Sequence, residues 1–236
     1  MPRAEAIGLL CLAIAARAEA APPRPVLQLA LQIKVARCGK SSARGREASL
    51  ESGPSVRRKP VRPVSWIEAH VAAANRILLP HGVRLSGVQS SFTPDRCEFV
   101  TRADRDALAA HATPGQVTVL VVRRAQDLDQ SDYDLMGVHW HYGGADARFD
   151  GRRWIIFTAR ARPPVLAHEL GHYLGLPHDR AGGNLMTPGP SDPIWRKRKG
   201  PRPSPWAPVL SRIQARRVRA AVSRLLRAAG DAKVPR

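Results

Sequence analysis

Long hydrophobic runs are missing from this 236-residue chain. One apolar stretch, Ala6 to Ala16, stands near the start and is too short to cross a bilayer; none follows, which excludes a transmembrane helix. Cysteine is scarce: only Cys11, Cys38 and Cys97 occur, enough for a single internal disulfide. Methionine is equally rare, at positions 1, 136 and 186. Acidic residues are outnumbered two to one, 19 Asp and Glu against 38 Lys and Arg, for a formal charge of +19. No nucleic-acid-binding motif accompanies that charge, so a specific nucleic-acid partner is not expected.

With 44% hydrophobic content, the chain can bury one sizeable core, and we expect a single domain over 21–236. Residues 1–20 read as a secretory signal: Arg3 gives a short positive start, the apolar stretch follows, and Ala18-Glu19-Ala20 supplies a small-x-small cleavage site. The alternative is an uncleaved N-terminal helix. Cleavage would remove Cys11 and leave Cys38 and Cys97 as an even pair, matching one disulfide and a secreted or periplasmic location.

The densest chemistry lies in His168-Glu169-Leu170-Gly171-His172-Tyr173-Leu174-Gly175-Leu176-Pro177-His178. His168 and His172 are four apart and share one helix face, so two imidazoles reach one metal ion. Gly175 stands where a helix ends on a positive φ, letting the chain turn and bring His178 back as a third ligand. Three protein ligands on Zn²⁺ leave a fourth position for water, whose pKa falls to about 7. Glu169 flanks the same face without joining the ligands and is the expected general base.

The full H-E-x-x-H-x-x-G-x-x-H string resembles that of the metzincin superfamily of zinc endopeptidases. The resemblance implies one catalytic zinc ion, a protein or peptide substrate, and a Met-turn beneath the metal, a role that Asn184-Leu185-Met186-Thr187 fits with Met186. Two features leave the family within the superfamily open, with a bacterial, matrixin-like stand-alone domain as the nearest. Pro188 stands where some metzincins carry a metal-reaching tyrosine, and Asp179, after the third histidine, does not assign one. Arg37-Cys38-Gly39 repeats the core of the matrixin cysteine switch, so a zinc-capping thiol at Cys38 competes with the disulfide reading.

Periodicity supplies the elements. Val26 to Ala36 alternates as a half-buried strand. Residues 39–63, rich in Ser, Gly, Arg and Pro, read as a flexible insertion. A helix is expected from Trp66 to Leu79, with Ser65 as N-cap and Glu68 completing a capping box. Strands follow at Gly82–Gln89, Val117–Arg123, Gly137–Tyr142 and Arg153–Thr158, with a small helix at Ala103–His111, and the metal helix begins near Pro163. The metzincin resemblance implies an α/β (α+β) fold: a mixed, twisted five-stranded sheet with an antiparallel edge strand, an active-site helix, the Met-turn and a C-terminal helix. In that scheme Gly137, Val138, His139 and Trp140 bind substrate by strand addition. His139 and His141 share one side of that strand, and surface or packing roles suit them better than a second metal.

Charge concentrates late: Pro193 to Gly230 holds eleven basic residues and no acidic one. The segment 208–229, helical from Val209 to Ala229, gathers Leu210, Ile213, Val218, Ala221, Val222 and Leu225 on one face and Arg212, Arg216, Arg219 and Arg227 opposite. The plain reading is a solvated face on a monomeric enzyme. The alternative is attachment to an anionic surface, in the limit a cationic binding protein whose zinc is mainly structural.

Overall fold

The computed structural model describes residues 25–39, 58–130, 132–180, 182–188 and 207–231. The signal segment, most of the 39–63 insertion and the basic run Arg196–Lys199 lie outside them. The fold is mixed α/β. Strands are β1 (Leu27–Cys38), β2 (Lys59–Pro60), β3 (Val83–Phe92), β4 (Glu98–Phe99), β5 (Val117–Val122), β6 (Arg124–Ala125), β7 (Gly137–His141) and β8 (Arg153–Thr158). Helices are α1 (Val64–Leu78), α2 (Arg102–Asp106), α3 (Val165–Tyr173) and α4 (Arg212–Asp231).

The main sheet has six strands instead of the expected five. β3, β1, β5 and β8 run parallel, and β7 pairs antiparallel with β8 at the edge. The sixth strand, β2, comes from within the predicted insertion and pairs with Arg37 and Cys38 at the end of β1. The end of that segment is therefore fastened: the Val61 N–H donates to the Ala36 carbonyl at 3.0 Å, and Arg62 Nε donates to the Ala159 carbonyl at 2.7 Å. β4 and β6 form a separate two-residue ladder, too short to show a period.

The two faces of the sheet bury different sets, as the twofold alternation of strand side chains requires. Leu29, Leu31, Ile33, Val35, Val119, Val121, Ile155 and Phe157 pack with residues of α1, α3 and α4. Leu120, Val122, Trp140, Trp154 and Ile156 pack on the other side with Phe92, Phe99 and Leu108. Cys38 and Cys97 form a disulfide with a Cα–Cα distance of 6.1 Å, which overturns the zinc-capping reading of Cys38.

Two helix starts differ from expectation. α1 begins at Val64 after an N-cap Pro63 whose side chain makes no capping bond. Ser65 thus lies inside the first turn, because Pro63 already holds the extended backbone that precedes a helix. The small helix opens on Thr101, whose side chain accepts from the Asp104 N–H while Asp104 Oδ2 accepts from the Thr101 N–H. The helix continues as a 3-10 segment over Ala107–His111.

Candidate metal centre

α3 enters after Pro163-Pro164 and closes with paired bonds: the Gly175 N–H donates to the His172 carbonyl and the Leu176 N–H to the Gly171 carbonyl, both at 2.9 Å. This Schellman closure needs a left-handed residue, and Gly175 has φ +88°. The chain then reverses and delivers His178 to the face that holds His168 and His172. The ligand-capable atoms of these three residues all lie within 4.8 Å of one another, the only such group of three or more among the described residues.

The second nitrogens of two rings are already assigned. His168 Nδ1 lies 2.7 Å from the Leu185 carbonyl and His172 Nδ1 lies 2.9 Å from the Leu176 carbonyl. A carbonyl can only accept, so each Nδ1 carries the proton and each Nε2 keeps a lone pair, as a metal ligand requires. Those Nε2 atoms face each other at 3.1 Å. Burial, then the neighbouring His168 and His178, hold His172 down at about 4, so it stays neutral. Three half-buried imidazoles that converge within 4.8 Å, two of them with lone pairs on Nε2, fit a borderline-soft divalent cation such as Zn²⁺.

Met186 is fully buried. Its Sδ sits against Gly171 of α3, where any side chain on that residue would stand. A polar lattice fixes this turn to the third histidine. The Asp179 N–H donates to the Met186 carbonyl at 2.8 Å, and Asn184 Nδ2 donates to Asp179 Oδ2 at 2.7 Å. Asn184 Oδ1 accepts from the Met186 N–H at 2.9 Å. From α4, Gln214 Nε2 donates to Asn184 Oδ1 at 2.9 Å and to Asp179 Oδ2 at 3.3 Å.

Glu169 is buried between α3 and β7. Its Oε2 accepts from the His139 backbone N–H at 2.9 Å. Burial pushes its carboxyl up to about 8, against the opposing effect of that bond. The fit depends on Gly137: a Cβ there would stand 2.7 Å from Glu169 Cγ and 2.9 Å from Val165 Cγ1.

β7 divides by parity. The Thr158 N–H bonds the Met136 carbonyl and the Tyr142 N–H bonds the Arg152 carbonyl, so even-numbered residues face β8. The main-chain groups of Gly137, His139 and His141 face the open edge. Side chains divide the same way. His139 packs toward α3, its ring 5.3 Å from Tyr173 and 4.5 Å from His141. Burial, then His141, Arg153 and His172, hold His139 down at about 3. Val138 and Trp140 point to the opposite core, where Trp140 Nε1 donates to Asp106 Oδ1 at 2.7 Å.

The sequence reading missed Gln214 and the close approach at Gly137. A signal existed for the first: Gln214 shares the helix stripe of Leu210, Val218, Ala221 and Leu225, a polar residue on an apolar face. Assigning Ile213 to that face was incorrect, since it is 62% exposed while Gln214 is buried at 7%. Gln214 displaces it because the Asp179–Asn184 pair needs a buried donor there.

No protein-family model matches the chain, and no curated protein matches it. Among solved structures it is similar to metalloproteinase-II from Bacteroides fragilis, with a TM-score of 0.45 and 14% identity over 85% of this chain and 55% of that one. The chain thus spans little more than half the length of that structure.

Proposed function

We propose that this chain is a zinc-dependent endopeptidase of metzincin, matrixin-like type. The observation that carries the reading is the convergence of His168, His172 and His178 within 4.8 Å, the first two on the helix turn that places Glu169 against the sheet edge and the third returned by the reversal at Gly175. His168, His172 and His178 would hold the ion through nitrogen donors. Zinc in such a site supplies Lewis acidity toward a carbonyl and toward water.

The chain's own residues supply the rest. The Glu169 carboxylate takes a proton from the attacking water and passes it to the leaving amine, a role suited to a buried group with a raised pKa. The His139 N–H orients that carboxylate. With the His139 N–H taken by Glu169, the open edge of β7 offers the His139 carbonyl and the main-chain groups of Gly137 and His141 to an extended peptide. Val138 and Trp140 support that edge from behind. Met186 forms the floor under the metal helix. A secreted or periplasmic setting agrees with the Cys38–Cys97 disulfide and with the lack of any membrane-crossing helix among the described residues.

The test is metal analysis joined to a peptide-library cleavage assay on wild type and Glu169→Ala. The expected result is one zinc per chain in both, with cleavage lower by a factor of about 10² to 10⁴ in the variant. Equal cleavage by both proteins would remove Glu169 from the mechanism. Zinc without cleavage in either would favour a structural metal.

A further inference from the structure

α4 carries six arginines, and the structure separates them into one with an internal role and five without. Arg219 Nη1 donates to the Gly82 carbonyl at 2.9 Å and its Nη2 to the Pro25 carbonyl at 2.7 Å, so this guanidinium ties α4 to the start of the sheet. Arg212, Arg216, Arg217, Arg224 and Arg227 are exposed. None of the five forms an ion pair among the described residues, where the arginine ion pairs belong to Arg96, Arg124, Arg148 and Arg160.

At 3.6 residues per turn, Arg216, Arg217, Arg224 and Arg227 fall within an arc of about 100° centred near Ala220. Ile213 lies in the same arc and is 62% exposed. Val209, just before the helix, is 53% exposed. Val218, Ala221 and Val222 are buried against the sheet on the other side. The packing that holds α4 in place therefore leaves this stripe outward, cationic along its length and aliphatic at its N-terminal end.

We propose that this outward face docks on anionic phospholipid bilayers. Guanidinium groups meet lipid phosphates in bidentate fashion, and each basic residue near such a surface strengthens partition about fivefold. A soluble polyanion would use the same charges. The aliphatic residues decide between them: Ile213 and Val209 gain by leaving water at a headgroup and acyl boundary, whereas a sugar-phosphate or polysaccharide backbone leaves them wet. The inference is independent of the metal centre, because none of these residues belongs to it.

The test is co-sedimentation of the full chain with phosphatidylcholine vesicles, with and without roughly one third phosphatidylglycerol, at low and high salt. Binding is expected only with phosphatidylglycerol and is expected to fall with salt. The triple variant Arg217→Gln, Arg224→Gln, Arg227→Gln should weaken it about 100-fold. Removing three positive charges elsewhere, with Arg58→Gln, Lys59→Gln and Arg76→Gln, should change it much less. Ile213→Ser should weaken vesicle binding while leaving heparin and duplex DNA retention unchanged. Circular dichroism of each variant reports folding. Equal losses from the two triple variants, no loss from the α4 triple, or DNA or heparin binding tighter than vesicle binding with no effect of Ile213→Ser would each overturn the proposal.

Discussion

The His139 backbone N–H donates to Glu169 Oε2 at 2.9 Å, which fastens the edge strand to the residue between two candidate metal ligands. The strand that would receive a peptide and the carboxylate that would move a proton are thereby held in one frame. Gly137 makes the approach possible from one side, and burial of the carboxylate keeps water from loosening it.

Gly137→Ala should separate positioning from metal binding. The new Cβ would stand 2.7 Å from Glu169 Cγ and 2.9 Å from Val165 Cγ1, both on α3, so helix or strand must shift. Misplacing a catalytic group by about 1 Å can cost on the order of 10²-fold in rate. Peptide cleavage should fall by about that factor, with zinc stoichiometry unchanged. Zinc content by atomic absorption and cleavage kinetics measure the two separately; full activity in the variant would show that Glu169 is not held as described.

Glu169 also sets a pH dependence for the metal-free protein. Burial raises its pKa from 4.5 to about 8. Below pH 4.5 the folded and unfolded chains both hold the proton. Between 4.5 and 8 the folded chain holds more protons than the unfolded one, so stability falls as pH rises, and above 8 the loss is complete. Glu169→Gln lacks this titration. In chelator, its melting temperature should match wild type near pH 4 and exceed it increasingly up to pH 8. A difference that stays constant with pH would contradict the buried, protonated state.

The helix-borne part of the site was legible because spacing on a helix is spacing in space: His168, Glu169, His172 and the left-handed Gly175 need no tertiary contact to be read. The antiparallel edge strand followed from the family resemblance, and its pattern of main-chain groups from strand alternation. The place of Gln214 on the apolar stripe was visible in the sequence but its burial was not, since that is decided by a hydrogen-bonding partner 30 residues away in sequence. The same competition pushed Ile213 outward. β2 escaped because two residues show no period, and Gly137 because a close approach between elements leaves no local trace.

The Cys38–Cys97 disulfide closes a span of 59 residues, which includes the 39–63 segment. Loop-closure entropy for that length corresponds to about 4 kcal/mol. Replacing both cysteines with alanine should lower unfolding free energy by roughly that amount in denaturant titrations, with zinc stoichiometry retained in the folded fraction. Mass spectrometry of the non-reduced protein should show the linked peptides. A free thiol at Cys38 would instead restore the zinc-capping reading.

Gln214 offers the sharpest test of how α4 supports the metal. Its Nε2 donates to Asn184 Oδ1 and Asp179 Oδ2, and these two residues in turn hold the turn at Met186 and the residue after His178. Gln214→Leu keeps the apolar stripe of the helix but removes the donor, leaving the buried Asn184 amide oxygen and the half-buried Asp179 carboxylate each one partner short. Outer partners of metal ligands typically contribute 10- to 100-fold to affinity, so zinc affinity from chelator competition should weaken by about tenfold or more. Gln214→Glu, equal in size but with no N–H to donate, should fail to rescue and should place a second carboxylate beside Asp179. Unchanged zinc affinity in the leucine variant, with the protein folded, would confine Gln214 to packing and leave the third ligand positioned by Asp179 and Asn184 alone.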